Sequence, residues 1–181
     1  MKNIKNNLLK LALSLLALGL VISCDKGGEP DPGGTTTKQY AGDWFIYIYD
    51  AAGNEKVAHA LHATYNTAAN DNTMWIDDWL TRKQLADGAP PTSSNEPSGW
   101  FLRSKISFDL NNGTFTCLDQ PNLNDSGTVT ISEGKIEKNG ALSKGGNTVD
   151  KISFKAVFSY APNDVLTFIG HKRTGLAEDE Y

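Results

Sequence analysis

Hydrophobic and polar residues alternate with a period of two through most of the chain after Asp43. The alternation is clearest over residues 151–156, where Lys and Ser separate Ile152, Phe154 and Ala156. The same period recurs in four further segments, at residues 44–49, 57–65, 100–109 and 165–171. Because successive side chains of a strand point to opposite faces, this period predicts β-strands that each bury one face.

Turn-forming residues separate these segments. Asn-Gly pairs occur at residues 112–113 and 139–140, and Pro-Asn-Asp occurs at residues 162–164. These sequences supply the positive or preset φ angles that tight hairpin turns need. Because a meander of strands loses its exposed edges by closing, we predict an all-β domain, a single antiparallel up-and-down β-barrel of about eight strands. A two-sheet sandwich is the alternative.

One stretch interrupts the strand pattern. Residues 80–87 have the composition of one or two helical turns, and residues 88–99 contain three prolines and three serines. This long loop is either a lid at the barrel mouth or a solvated connection. A barrel of eight strands either fills with side chains or holds one small ligand.

The first 24 residues have the three parts of a bacterial export signal. Three lysines precede an apolar run at residues 11–22, which is too short to span a bilayer as a stable anchor. Val-Ile-Ser-Cys at residues 21–24 resembles a lipobox, in which the cysteine receives diacylglycerol and becomes the new N-terminus. We therefore predict a lipoprotein that is anchored to a membrane and works outside the cytoplasm.

This signal divides the chain into three parts. We predict a lipoprotein signal peptide at residues 1–23, a lipidated Cys24 with a flexible Gly/Pro-rich tether at residues 24–39, and the β-barrel domain at residues 40–181. Gly and Pro dominate the tether, which has too few apolar residues to form a core.

Charge and cysteine content narrow the functional classes. The chain has 17 Lys and Arg against 21 Asp and Glu, and three of the lysines lie in the predicted signal. This acidic balance argues against nucleic acid as a partner, and we expect a monomer. Once Cys24 is lipidated, Cys117 has no partner for an intramolecular disulfide, and we interpret it as a small buried hydrophobic residue.

Three stretches together carry a family resemblance. They are residues 64–78, residues 170–175 with the terminal 178–181, and Gly42-Asp43-Trp44. With the lipobox, they resemble a family of Bacteroidota lipoproteins named lipid-binding putative hydrolase. The resemblance implies a lipocalin-related, calycin-like β-barrel and an association with nutrient uptake at the outer membrane. On this basis we expect the lipoprotein to lie at the outer membrane, facing the periplasm or the cell surface. It supplies no catalytic residue.

The histidines offer few catalytic arrangements. His59 and His62 are three residues apart on a strand, so they should point to opposite faces. The alternation places His59 with Val57 and Leu61 on the apolar face, which favours a hydrogen-bonded core residue over a group that orients a ligand. The nucleophile-elbow sequence G-x-S-x-G is absent, so weak hydrolase activity remains an alternative that only the family name supports.

A strand at residues 73–79 carries two tryptophans on one face. Trp75, Asp77 and Trp79 could stack on a sugar and bind its hydroxyls, line an apolar cavity, or simply pack in the core. The neighbouring Asn and Asp residues at 70–72 offer oxygen ligands, but they lack the pattern of a calcium loop and are better explained as a hydrogen-bonded turn.

We expect the barrel to bind a small apolar or amphipathic, lipid-like molecule without catalysis. The alternatives are a carbohydrate-binding lipoprotein and an accessory subunit of an outer-membrane nutrient-uptake system. We predict no catalytic residue, no metal ligand and no cofactor. The residues that we predict to contact a ligand are Trp44, His59, Tyr65, Trp75, Asp77, Trp79 and His171.

Overall fold

The structure, a computed structural model, describes residues 34–78 and 100–181. Eight strands form a closed barrel in which each strand pairs antiparallel with the next and the last pairs with the first. The strands are β1 Gly42–Tyr49, β2 Glu55–Asn66, β3 Thr73–Asp78, β4 Arg103–Asp109, β5 Thr114–Pro121, β6 Thr128–Leu142, β7 Thr148–Phe158 and β8 Leu166–Lys172. The prediction of an eight-stranded up-and-down barrel is confirmed.

The remaining described elements are two single turns of 3₁₀-helix, at Lys38–Tyr40 and Ala177–Asp179. Neither these nor any other helix among residues 34–78 and 100–181 has the length and apolarity to cross a membrane. The predicted signal peptide, Cys24, Trp79 and the interrupting stretch at residues 80–99 lie outside the described residues.

Inward-facing side chains fill the described part of the barrel. Phe154 and Phe168 stack with their ring centroids 4.5 Å apart, and Phe115 lies 5.8 Å from Phe154. Cys117 belongs to the same core; its thiol contacts the Val129 carbonyl at 3.5 Å, and burial raises its pKa. The interpretation of Cys117 as a buried hydrophobic residue is confirmed.

One end of the barrel, the closed end, is covered by the 3₁₀ turn that precedes β1. The Tyr40 ring packs on Phe108 at 4.3 Å, and its hydroxyl donates to the Leu110 carbonyl at 3.0 Å. The Trp44 indole donates to Thr64 Oγ1 at 2.9 Å, and that hydroxyl donates to the Tyr40 carbonyl at 2.7 Å. The interior indole therefore has its polar atom satisfied, and the chain of hydrogen bonds ties β1 and β2 to the cover.

A β-bulge in β2 changes which residues face the interior. Ile48 pairs with Val57, but Ile46 pairs with Ala60, so β2 contains one extra residue between these positions. His59 occupies the bulge with a φ of 57°. Since an extra residue moves the following side chains to the other face, His62 points inward and His59 points outward. The predicted interior position of His59 is wrong.

The C-terminal residues hold the outer surface of the barrel through a buried carboxylate. Asp179 accepts hydrogen bonds from Thr174 Oγ1 at 2.6 Å, from Asn147 Nδ2 at 3.0 Å and from the Gly145 amide at 2.5 Å. These hydrogen bonds, that of Thr174 first, hold the pKa of the Asp179 carboxyl well below its usual range. The tail is thereby fastened to the hairpin between β6 and β7.

Candidate functional site

The end of the barrel opposite the closed end, here called the mouth, carries a groove of about 460 Å³. The turn after β1, the turn before β8 and Trp100 form its walls. The residues that line this mouth groove are Asp50, Ala51, Ala52, Lys56, Trp100, Asn163, Asp164, Val165 and Leu166. Trp100 is only half-buried, whereas Leu166 is 2% exposed and belongs to the core. The groove therefore has an apolar floor continuous with the barrel core and a rim that carries charges of both signs.

A second groove, of about 480 Å³, continues from the mouth along the outer wall of the barrel. The two grooves share Asp50, Ala51 and Val165. Ile169 and Val165 remain 38% and 39% exposed, although they are large apolar side chains. Such a continuous apolar surface with polar edges suits a ligand that has an extended apolar part.

Asp50 fixes the turn that the two grooves share. Its Oδ1 accepts hydrogen bonds from the amides of Ala52 and Asn54, both at 2.9 Å, and its Oδ2 lies 2.9 Å from Lys56 Nζ. The Asn54 side chain and then Lys56 hold the pKa of this carboxyl well below its usual range. The carboxylate is thus bound within the turn by these contacts, and the turn holds Ala51 in place between the grooves.

A third, smaller groove of about 220 Å³ lies on the outer face of β3 and β4. Trp75 lines it together with Lys105 and Leu123, and the Lys105 ammonium and the Arg103 guanidinium lie 6.0 and 5.7 Å from the indole. Beside it, Asp77 is fully buried; Tyr65 donates a hydrogen bond to it at 2.6 Å, and Arg103 Nε lies 3.4 Å away. This outer patch is an indole surrounded by cations and supported by a buried carboxylate.

Comparison with known proteins gives a family but no activity. The model of the family described as lipid-binding putative hydrolase matches residues 29–177. The chain belongs to this family. No curated protein matches it.

One solved structure similar to this member of the lipid-binding family is that of a Bacteroides ovatus protein described as of unknown function. The two chains are 14% identical and superimpose with a TM-score of 0.43. The match covers 78% of this chain and 43% of the other, so this family member spans less than half the length of that protein.

The structure distributes the predicted ligand-binding residues of this family member over three places. Trp44 lies in the core with its indole hydrogen-bonded. His59 and His171 lie on the outside beneath Tyr181, whose ring stacks on His59 at 3.7 Å and whose hydroxyl lies 3.3 Å from His171 Nε2. The third place is the outer patch, which contains Tyr65, Trp75 and Asp77.

The residues of the mouth were not among those predicted to bind a ligand. Ala51 belongs to a turn and Val165 directly precedes β8, and the alternation identifies strands without indicating how the segments at their ends approach each other. Trp100 was recognised as a strand residue of the apolar face, but its place at the mouth depends on the path of the chain before β4. The inward position of His62 was not predicted, because the bulge at His59 has no clear signature in the sequence.

Proposed function

We propose that this member of the lipid-binding family is a carrier that holds one amphipathic, lipid-like molecule at the mouth of its barrel. The observation that carries the proposal is the pair of adjoining grooves, which share Ala51 and Val165 and have apolar walls. Each has a volume within the range of small-molecule sites, roughly 300–1,000 Å³. The family description supports an apolar ligand.

The packed interior favours a site at the mouth over one along the barrel axis. Trp44, Phe154 and Phe168 are at most 1% exposed and occupy the volume that a hollow barrel would offer. The apolar part of the ligand would lie on Val165, Ile169 and the face of Trp100. Its burial would contribute about 25 cal/mol per Å² of apolar area removed from water.

Filling the shared part of the grooves tests this site. Ala51→Trp places an indole where the grooves meet. We therefore expect the Kd of a fluorescent fatty-acid probe to rise by at least tenfold. Ala68→Trp is the matched control, because Ala68 is also exposed but lies in the turn between β2 and β3 at the closed end. Equal binding by both variants would contradict a site at the mouth.

We also propose that Cys24 anchors this carrier to the outer membrane through covalent lipid. The lipobox-like sequence supports this part of the proposal, and an acylated N-terminus would keep the carrier beside a source of lipid. Cys24→Ala should move the protein from the membrane fraction to the soluble fraction of fractionated cells. Unchanged membrane association would refute the anchor without bearing on the mouth grooves.

The outer patch supports a second candidate function, glycan binding. Trp75 is half-buried in a groove that also contains Gln120, so an indole face and an amide lie together. Stacking on an indole and hydrogen bonds from an amide are suited to a sugar ring. Trp75→Ala should abolish retention on an immobilised glycan array and leave the fatty-acid probe bound; a glycan that binds both proteins equally would refute this candidate.

A further inference from the structure

Lys155 is the one cation among the described residues that line the second groove, called here the wall groove. The alternation of β7 places Lys155 on the outer face of the barrel, because its neighbours Phe154 and Ala156 are buried in the core. The register of the sheet sets Lys155 directly opposite Thr167 of β8, which also lines the wall groove. Opposite side chains have Cβ atoms about 4.5–5.5 Å apart, so an ammonium and a hydroxyl can reach one bound group.

Apolar side chains flank this polar pair along β8. Val165 and Ile169 lie two residues before and two residues after Thr167, and both line the wall groove on the same outer face. Val165 also lines the mouth groove, whereas of the two grooves Lys155 lines only the wall groove. Polar donors therefore lie on the β7 side of the wall groove, and apolar surface continues from β8 to the mouth.

The ion pair that Lys155 makes leaves it able to bind a ligand. Its Nζ lies 2.8 Å from Glu133 Oε1, and the two side chains are 41% and 66% exposed. An ion pair between side chains this exposed contributes little to stability, so exchanging it for another anion costs little. In addition, an ammonium has three N–H donors, so Lys155 can bind a second acceptor without releasing Glu133.

The other charged residue of the wall groove does not compete for Lys155. Asp50 is held by the amides of its own turn and by Lys56, whose Nζ lies 2.9 Å away. On the far side of Thr167, the register places Tyr49 of β1, which also lines the wall groove and adds a second hydroxyl. The polar groups that a ligand would meet here are therefore N–H and O–H donors, which suit a head that accepts hydrogen bonds.

We propose that Lys155 and Thr167 bind the carboxylate of an anionic amphiphile whose chain lies across Val165 toward the mouth. The inference rests on the proposed carrier function and specifies the charge of the ligand's head. An ionised carboxylate only accepts hydrogen bonds, and those from an ammonium are roughly twice as strong as bonds between neutral groups. An alcohol of the same chain length lacks this interaction, so the wall groove should select fatty acids over fatty alcohols.

Two compounds of equal chain length test the proposal. They are dodecanoate, which is ionised at neutral pH, and dodecanol. Equilibrium dialysis of the radiolabelled compounds against the full chain gives both Kd values. We expect dodecanoate to bind more tightly by about tenfold, the ratio expected from one hydrogen bond to a charged group. Lys155→Gln should abolish this preference and keep the affinity for dodecanol, whereas Lys155→Arg should retain most of the preference.

Glu133→Gln distinguishes binding of the ligand from a purely structural role of Lys155. It removes the anion that the carboxylate would compete with, so it should tighten dodecanoate binding by about threefold, within the range that an exposed ion pair contributes. If the ion pair instead acts only through the fold, Glu133→Gln should weaken binding as Lys155→Gln does, and that result would contradict the proposal.

Lys151→Gln is the matched control, because Lys151 lies on the same outer face of β7, is 37% exposed and pairs with Glu137, but does not line the wall groove. Failure of the wild-type chain to bind either compound would overturn the carrier function itself. Equal binding of both compounds by the wild type would overturn the role of Lys155 alone. A preference that survives in Lys155→Gln, or that is lost equally in Lys151→Gln, would also overturn that role.

Discussion

The closed end and the mouth of the barrel use similar residues for different purposes. At the closed end, Tyr40 covers the core, and a tryptophan, Trp44, is fully buried with its indole N–H bonded to Thr64. At the mouth, another tryptophan, Trp100, packs against the core but stays half-buried beside a groove. The barrel therefore seals one end with satisfied polar groups and leaves apolar surface accessible at the other.

This difference shows how a packed barrel can still bind a ligand. The hydrogen bonds and aromatic contacts at the closed end stabilise the barrel, and they involve none of the residues that line the mouth groove. Val165 at the mouth and Ile169 on the adjoining outer wall can therefore remain exposed, although apolar surface in contact with water is unfavourable. Substitutions at the two ends should accordingly separate stability from binding.

The largest effect on stability should come from Trp44→Ala. Truncation of a fully buried tryptophan removes its packing and the hydrogen bond that it donates to Thr64 Oγ1, and such changes cost about 3–5 kcal/mol. Urea unfolding followed by circular dichroism measures the loss. Binding of the fatty-acid probe by the remaining folded fraction should be unchanged. Weaker binding would show that Trp44 contributes to the ligand site, as predicted from the sequence.

Trp100→Ala should reduce ligand binding more than it reduces stability. The indole is half-buried at the mouth. Its removal should raise the Kd of the fatty-acid probe by about tenfold, because part of an aromatic contact surface is lost. The free energy of unfolding should fall by less than in Trp44→Ala, because a smaller part of the side chain leaves the core. A variant that is destabilised as much as Trp44→Ala and binds normally would contradict the division between the two ends.

The carboxylate that fastens the tail gives a smaller, pH-dependent effect. Because the folded state lowers the pKa of Asp179, the carboxylate stabilises the fold above the ordinary pKa of 3.8, and this contribution is lost as the pH falls through the folded-state pKa. Asp179→Asn should lower the Tm by several degrees at neutral pH. The difference from wild type should shrink in scans below pH ~4, and a difference that is constant with pH would assign the effect to packing.

These contrasts also show what the sequence could predict. The two-residue period and the turn sequences were sufficient for the eight antiparallel strands, because both are local signals. The faces of β2 were not, since one extra residue at His59 exchanges the positions of every later side chain. Phe45 and His171 lie on the outer face, but Tyr181 of the tail packs against both rings and leaves them only 5% and 7% exposed; for Phe45, this contact joins residues far apart in the sequence.

The smallest effect should come from Trp75→Ala, which changes the outer patch and neither end of the barrel. The indole is half-buried and contacts the Lys105 and Arg103 cations, each contact contributing roughly 0.5–1 kcal/mol at an exposed site. We expect unfolding in urea to shift by about 1 kcal/mol and the fatty-acid probe to bind as in the wild type. Because Asp77 is held by Tyr65 independently of the indole, the patch should otherwise remain intact. Loss of lipid binding in this variant would show that the ligand reaches the wall of β3, and the mouth would then be only part of the site.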